Sequence, residues 1–177
     1  MIAITRPSPL PLLALLVACA ASAAASPAPD PFLARLVGDW DLTGTIRGQD
    51  VHQHAACRWV LRGGWLRLAL TDLAKPPGYE ASVFFAHDPK ADDYVVHWLD
   101  QFGAAGARVV GGGHREGATL VFSFPYAEGA FRDTLTLSAD GRSGTLLIEA
   151  QGKDGTWSTF ASYRMARGAG RAGAAGE

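Results

Sequence analysis

The stretch LVGDWDLTG, Leu36–Gly44, lies where the pattern of the chain changes. Before it, Asp30 and Pro31 open a short amphipathic segment that runs up to Gly38. Asp followed by Pro is a typical start of a helix, and Gly is a typical stop. After it, apolar and polar residues alternate with the period of two that is typical of a β-strand. The stretch therefore predicts a helix of about two turns that leads into the first strand of an all-β domain.

Ten strand-like runs follow, separated by turn signals such as Gly-Gly, Glu-Gly and Asp-Gly. No helix-length segment intervenes, so sequential antiparallel pairing is favoured. An up-and-down β-barrel of about ten strands, capped by the short N-terminal helix, leaves no strand edge unpaired. A β-sandwich would show similar alternation and is the alternative fold. The runs are predicted over 39–47, 50–62, 65–72, 79–87, 93–101, 107–113, 118–125, 130–138, 143–151 and 155–166.

Within several runs the parity of the residues predicts which side chains face inward. The second run has an opposite, polar face that carries His52, His54, Arg58 and Arg62. The small residue Cys57 is predicted to lie in the core, because the other cysteine, Cys19, is either removed with the signal peptide or lipidated and so cannot form an intramolecular disulfide with it. The predicted inward positions are Ala55, Cys57, Trp59, Leu61, Leu66, Leu68, Leu70, Leu120, Phe122 and Phe124.

The N-terminal residues predict export. Arg6 precedes the apolar run LPLLALLVA, which is too short to span a bilayer, and small residues follow. Two cleavages are open: one among the Ala and Ser residues near position 25, and one before Cys19, whose preceding Leu-Val-Ala resembles a lipobox. Lipidation of Cys19 would tether the domain to a membrane face. The protein is thus expected in the periplasm or as an envelope-anchored lipoprotein, with a signal peptide at 1–25, a linker at 26–31, the barrel at 32–167 and a disordered tail at 168–177.

Composition excludes some classes of partner. The 177 residues suffice for one domain with its own core, and the formal net charge is -1. Such a balance argues against nucleic acid, and a membrane contact is expected only through the lipid anchor. The lack of Asn and the abundance of Ala, Gly and Arg indicate a GC-rich bacterial genome. Nothing in the sequence determines an oligomeric state.

A capping helix, then Gly-x-Trp at Gly38 and Trp40, then a strand meander, resembles the calycin superfamily: lipocalins, fatty-acid-binding proteins, avidins and nitrobindin-like haem barrels. The resemblance implies that Trp40 plugs the closed end of the barrel. It also implies that an Arg from the last strand packs across that ring as a cation–π contact, and Arg164 holds the equivalent place.

The chain is also similar to uncharacterised bacterial lipocalin-like domains of unknown function. The resemblance spans Phe32–Arg167 and implies a container for a small hydrophobic or amphipathic molecule. Its lumen would be lined by Trp59, Leu66, Leu68, Phe122 and Phe124. The residues that carry the likeness are Tyr94, Trp98, Asp100 and Gly103, then Arg132 and Thr134, then Trp157 and Tyr163.

Trp98, Asp100 and Arg132 are the candidates for orienting the polar part of such a ligand. Asp100 shares the parity of Trp98 on the fifth run, and a buried Asp–Arg pair could present either charge to a ligand. The alternative is structural, with Asp100 capping a turn and Arg132 on the outer face. Phe131 and Leu135, on the opposite parity to Arg132, favour that alternative.

No catalytic motif, metal site or cofactor is predicted. The pair His52 and His54 shares a face with Arg58 and lacks a third ligand, so solvated histidines are favoured over a metal. Haem would need an inward axial His, and His97 has ambiguous parity, so haem is disfavoured. Binding of a small molecule is the predicted function. The alternatives are an enzyme with Asp100 as acid/base and a ligand-free barrel with an envelope or interaction role.

Overall fold

The computed structural model describes residues 28–168. The predicted signal peptide, Cys19 with both cleavage alternatives, and the tail after 168 lie outside the described residues. Helix α1 spans Pro31–Leu36, and Asp30 accepts a hydrogen bond from the backbone N–H of Leu33 at 2.8 Å. This confirms the predicted N-cap and start. Within the described part of the chain, no helix has the length and apolarity needed to cross a membrane.

Ten antiparallel strands follow, and each pairs with its neighbours in the chain. Pairing of the last strand with the first closes the sheet into a barrel, so the predicted fold is confirmed and the β-sandwich is wrong. Short 3₁₀ turns lie at Leu61–Gly63 and Gly106–Arg108. The strands are β1 Gly38–Ile46, β2 Gln49–Val60, β3 Trp65–Asp72, β4 Glu80–Asp88, β5 Asp93–Asp100, β6 Val110–Glu116, β7 Thr119–Phe124, β8 Phe131–Leu137, β9 Ser143–Gln151 and β10 Trp157–Arg167.

The alternating strand direction gives the barrel two different ends. Helix α1 and the connection from β2 to β3 lie at one end, which we call the closed end. The connections after β1, β3, β5, β7 and β9 lie at the other, which we call the open end. The longest of these open-end connections span 73–79 and 101–109. Longer loops at one end of a barrel are typical of a barrel whose binding site lies at that end.

Trp40 plugs the closed end, as predicted. It is fully buried, and its indole Nε1 donates to the Leu36 carbonyl at 2.7 Å. The guanidinium that covers its ring belongs to Arg167, 4.0 Å from the ring centroid. Arg167 also donates to the carbonyl oxygens of Val37, at 2.6 Å, and of Gly141, at 3.0 Å. One side chain thus ties the helix, the first strand and the β8–β9 turn to the end of β10.

The predicted pairing of Arg164 with Trp40 is wrong. Arg164 is exposed, because the inward face of β10 carries Ala161, Tyr163 and Met165. The strand also runs to Arg167, which pairs in register with Trp40. The cation at the closed end is therefore supplied by Arg167, three residues after Arg164, whose side chain lies on the outer surface.

Glycines on β6 decide how the interior is filled. A Cβ at Gly113 would lie 2.6 Å from the Cβ of Phe122, and one at Gly111 would lie 2.8 Å from the ring of Phe124. These two rings use the space that side chains on β6 would otherwise need, and they meet edge to face at 5.8 Å. Phe85 meets Phe122 in the same way, so aromatic rings cross the middle of the barrel.

Most of the predicted inward positions are confirmed. Cys57 is a buried free thiol, and burial raises its pKa to about 12. Leu61 is the exception, since its side chain is 72% exposed. Strand β2 ends at Val60, and Leu61 begins a turn with a φ of 50° that breaks the alternation. The buried positions are Ala55, Cys57, Leu66, Leu68, Leu70, Leu120, Phe122 and Phe124, whereas Trp59 is partly buried against them.

We expect Arg167→Ala to lower the free energy of unfolding by about 2–4 kcal/mol, because it removes charge-assisted hydrogen bonds and a cation–π contact. Chemical denaturation followed by tryptophan fluorescence measures this. Arg164→Ala is the matched control on the same strand, and a change within about 0.5 kcal/mol is expected there because the side chain is exposed. Equal losses in the two variants would contradict the assignment of Arg167 as the cover of Trp40.

Candidate functional site

Side chains fill most of the lumen. The enclosed cavity at its centre has a volume of about 20 Å³, enough for one water molecule. The expected ligand-sized lumen is therefore absent from the described part of the chain. Leu68, Phe122 and Trp98 line the small cavity, whereas Trp59, Leu66 and Phe124 pack outside its lining. A larger, open groove of about 420 Å³ lies on the outer face, where Thr43, Ser162 and Arg164 line it. Inside the barrel, a larger ligand has to bind nearer to the open end.

Two polar side chains lie inside the barrel just towards the open end from this cavity. Gln53 on β2 is 1% exposed and Asp133 on β8 is 2% exposed. The amide oxygen and nitrogen of Gln53, and Oδ1 of Asp133, have no hydrogen-bond partner among residues 28–168. A buried polar group without a partner costs about 1–3 kcal/mol. Native proteins keep few such groups, and each one needs a reason.

Neighbouring strands position these side chains. Gln53 pairs in register with Leu42 of β1 and Asp72 of β3. Asp133 pairs with Phe122 of β7 and Ile148 of β9. Tyr163 of β10 is a third buried polar residue, and the negative charge of Asp133 raises the pKa of its phenol. We call Gln53, Asp133 and Tyr163 the polar floor.

Gly44 brings Tyr163 of the polar floor close to β1. A Cβ at Gly44 would collide with the backbone oxygen of Ser162 and lie 2.9 Å from the Cα of Tyr163. The two strands that close the barrel can approach this tightly only with glycine at that position. Gly44, the last residue of the LVGDWDLTG stretch, therefore shapes the candidate site as well as the fold.

Burial controls the charge of the polar floor. It raises the pKa of Asp133 from 3.8 to about 8, with no basic side chain acting against it. Burial, together with the negative charges of Asp133 and Asp72, raises the pKa of Tyr163 to about 12. Asp133 is consequently protonated at neutral pH and can donate a hydrogen bond as well as accept one.

Half-buried aromatic side chains surround the open end above the polar floor. The indole of Trp98 donates to the hydroxyl of Tyr79 at 3.0 Å. The ring of Phe131 packs against Tyr126 at 5.7 Å and Phe160 at 5.2 Å between centroids. Phe131 lies one inward position closer to the open end than Asp133 on the same strand. We call Tyr79, Trp98, Tyr126, Phe131 and Phe160 the aromatic rim.

Of the residues predicted to orient a ligand, the structure brings Trp98 and Asp100 to the open end. Both lie on the inward parity of β5, as the pattern indicated. Asp100 also caps the following turn, because its Oδ1 accepts from the backbone N–H of Phe102 at 3.0 Å. Its Oδ2 accepts from the hydroxyl of Tyr79 at 3.4 Å. Asp100 therefore both caps the turn and faces the candidate site.

Arg132 does not pair with Asp100 or face the lumen, and the structural alternative that the parity of Phe131 and Leu135 favoured, with Asp100 capping a turn and Arg132 on the outer face, is confirmed. Arg132 lies on the outer face, where its Nη2 donates to Glu149 at 2.7 Å and its guanidinium stacks 4.4 Å over Trp157. Phe131, Asp133 and Leu135 form the inward face of β8. Asp133 is therefore the side chain by which β8 places a carboxyl in the interior of the barrel.

Sequence reasoning missed Gln53 and Asp133, although the signal was present. Gln53 shares the parity of Ala55 and Cys57, and Asp133 shares that of Leu135 and Leu137. A polar residue on an otherwise apolar face indicates a buried polar group.

The histidines considered for metal or haem lie on the outer face. His54 sits between Asp39 at 3.4 Å and Asp41 at 3.7 Å, and His52 is exposed. The Nε2 of His97 lies 2.7 Å from the carbonyl oxygen of Ala107. Residues 28–168 hold no group of three His, Cys, Asp or Glu side chains that could bind a metal ion. That the protein needs no metal and no haem stays a prediction.

Comparison with known proteins supports the fold alone. No protein-family model matches the chain, and no curated protein matches it. Among solved structures it is similar to the crystal structure of Rv2717c from M. tuberculosis, with a TM-score of 0.54 at 10% sequence identity. The match covers 80% of this chain and 99% of that one. At this identity the likeness shows a shared barrel architecture.

We expect the stability of the protein to fall as the pH rises from about 4 to about 8. In this window Asp133 keeps its proton in the folded protein, because its pKa there is about 8. In the unfolded chain the same carboxyl has its ordinary pKa of 3.8 and has already released the proton. Asp133 alone then lowers the free energy of unfolding by up to about 1.4 kcal/mol per pH unit. Asp133→Asn removes this contribution and should be more stable than the wild type at pH 8. Urea unfolding at pH 5 to 9 measures it.

The matched control is Asp50→Asn, since Asp50 is an exposed carboxylate near the open end. Its stability should follow that of the wild type at every pH. Parallel curves for the wild type and Asp133→Asn would contradict the raised pKa of Asp133.

Proposed function

We propose that this chain is an exported calycin-type carrier that binds a small amphipathic molecule at the open end of the barrel. The apolar part of the molecule contacts the aromatic rim, and its polar part bonds to the polar floor. The observation that carries the proposal is the burial of Gln53 and Asp133 inside the barrel with unpartnered polar atoms. A few convergent polar groups within an apolar lining are typical of small-molecule sites.

The filled lumen limits where the molecule lies. A cavity of about 20 Å³ leaves no room for it in the middle of the barrel. The site is therefore between the rim and the floor, and Phe131 and its aromatic neighbours have to turn aside when the molecule enters. Side chains at the rim are half-buried and at the end of their strands, so such rotamer changes leave the barrel unchanged.

Export and a lipid anchor, as predicted from the N-terminal residues, would place such a carrier in the periplasm or on the envelope. The resemblance to lipocalin-like domains points to the same kind of activity. An enzyme with Asp100 as acid/base has less support, because both oxygens of that side chain accept hydrogen bonds that hold the β5–β6 turn and Tyr79. A ligand-free barrel would leave Gln53 and Asp133 without a role.

We expect the neutral apolar fluorophore N-phenyl-1-naphthylamine to bind at the open end with enhanced fluorescence. Trp98→Ala should weaken this binding about tenfold, because it removes a large rim surface. Trp157→Ala is the matched control, since Trp157 stacks on the outer face over Arg132. It should leave the affinity unchanged. Circular dichroism of each variant checks that the barrel has folded.

Absence of fluorophore binding to the wild type, or equal losses in the two tryptophan variants, would count against a site at the open end. Native mass spectrometry of the protein purified from its own host adds an independent measurement. A co-purified small molecule that is lost in Trp98→Ala and retained in Trp157→Ala is the expected result.

A further inference from the structure

Among the described residues, the titratable side chains on the inward face near the open end are acids and phenols, and a basic side chain, Arg47, lies at the rim with its guanidinium 5.0 Å from the centroid of the Phe160 ring. Within the described part of the chain, the arginines of the adjoining strands, such as Arg67 and Arg132, face outward. Burial alone raises the pKa of Asp133, so no cation acts on this carboxyl. The inward or rim residues that titrate are Asp72, Asp100, Asp133, Tyr79, Tyr126 and Tyr163.

These groups form one electrostatic neighbourhood. Asp133 and Asp72 both raise the pKa of Tyr163, and Asp133 and Asp100 both raise that of Tyr126. The three carboxyls thus act on the same two phenols from β3, β5 and β8. A ligand that enters at the rim meets acidic side chains on three sides of the barrel.

We propose that the polar part of the bound molecule is an organic ammonium group, with Asp133 as its counter-ion and the oxygen of Gln53 as a second acceptor. This inference rests on the proposed function and names the chemical class of the ligand. The unpartnered Oδ1 of Asp133 and Oε1 of Gln53 can both accept from an ammonium, which carries only donors.

The aromatic rim fits the same ligand. Trp98, Tyr79 and Tyr126 lie at the open end with half-buried rings. An ammonium or its neighbouring carbons is attracted to the faces of such rings, most strongly to indole. Aromatic faces combined with a carboxylate are the usual chemistry for recognising organic cations.

A carboxylate ligand fits poorly. It would enter beside the carboxylates of Asp72 and Asp100, and repulsion between like charges would oppose binding. Arg47 lies at the rim, over the Phe160 ring, but it is not among the groups that act on the pKa of Asp133. Arg132, the residue predicted to bind an anionic head group, is held on the outer face by Glu149 and Trp157. These side chains favour an ammonium over a carboxylate as the polar part of the ligand.

Binding of an ammonium requires a proton to leave the site. Without ligand, Asp133 is protonated below its pKa of about 8. When the ammonium binds, Asp133 releases this proton to solvent, and the ammonium keeps its own, so the charge of the site is balanced. The groups that face Asp133 are Tyr163 from β10 and Tyr126 from the β7–β8 connection, both with raised pKa values. They stay neutral throughout the range, so Asp133 alone gives the pH dependence.

The test is displacement of N-phenyl-1-naphthylamine by three amphiphiles with the same eight-carbon chain. At pH 7.5, n-octylammonium should displace the probe at a concentration about tenfold lower than 1-octanol, and octanoate should be weakest. The affinity for octylammonium should rise about fiftyfold between pH 6 and pH 8, because the ionised fraction of an acid with a pKa of about 8 rises from about 1% to about 50%. The affinity for octanol should not change. Calorimetry in buffers of different ionisation enthalpy should show proton release for octylammonium alone.

Asp133→Asn keeps the shape of the side chain and removes its charge. In this variant the advantage of octylammonium over octanol should be lost, together with the pH dependence. Asp50→Asn, at an exposed carboxylate near the same end, should keep both. The pH series on the wild-type protein needs no variant, so the inference remains testable if Asp133→Asn does not fold.

The outcomes separate this inference from the proposed function. Probe binding with octanol or octanoate as effective as octylammonium, or a preference retained in Asp133→Asn, overturns the ammonium class and leaves a carrier. Absence of probe binding overturns both. A flat pH series for octylammonium overturns the role of Asp133 as counter-ion.

Discussion

The antiparallel pairing of β1 with β10 is the constraint on which the rest of the structure depends. It places Trp40 opposite Arg167 and Gly44 opposite Tyr163, so one register defines both ends of the barrel. A slip by one residue would turn every inward side chain of β10 outward. Arg167 opposes such a slip, because its guanidinium is held by the Trp40 ring and by the carbonyls of Val37 and Gly141. Helix α1 is attached to the barrel by the same contacts.

The way the interior is filled follows from this closure and leads directly to the candidate site. Glycines on β6 admit the rings of Phe122 and Phe124, which occupy the space that an open lumen would need. What remains for a ligand is the open end, where the strands leave the aromatic centre. The barrel keeps Gln53 and Asp133 there at a cost in stability. Residues that lower stability without a structural partner are expected where function requires them.

The helix and the strands were predictable from the sequence. Whether particular side chains near the strand ends point inward or outward was not. Helix α1 and ten strands follow from Asp30-Pro31, from the alternation and from the turn residues, because these are local properties. Arg164 and Leu61 were misplaced for one reason. The exact end of a strand decides which residue is the last on its inward face. Backbone turns such as the one at Leu61 depend on packing that alternation does not record.

By itself the sequence determined an all-β barrel with a capping helix and an apolar interior, because short-range periodicity and turn chemistry specify local structure and strand order. The plug at Trp40 was implied by the resemblance to the calycins. Only the tertiary structure decided that Arg167 rather than Arg164 covers Trp40 and that the lumen is filled. It also decided that Asp133 rather than Arg132 faces the interior. Each of these depends on the register between strands far apart in the chain. Register sets which side chains share the interior, and so whether the barrel presents an acid or a base to what it binds.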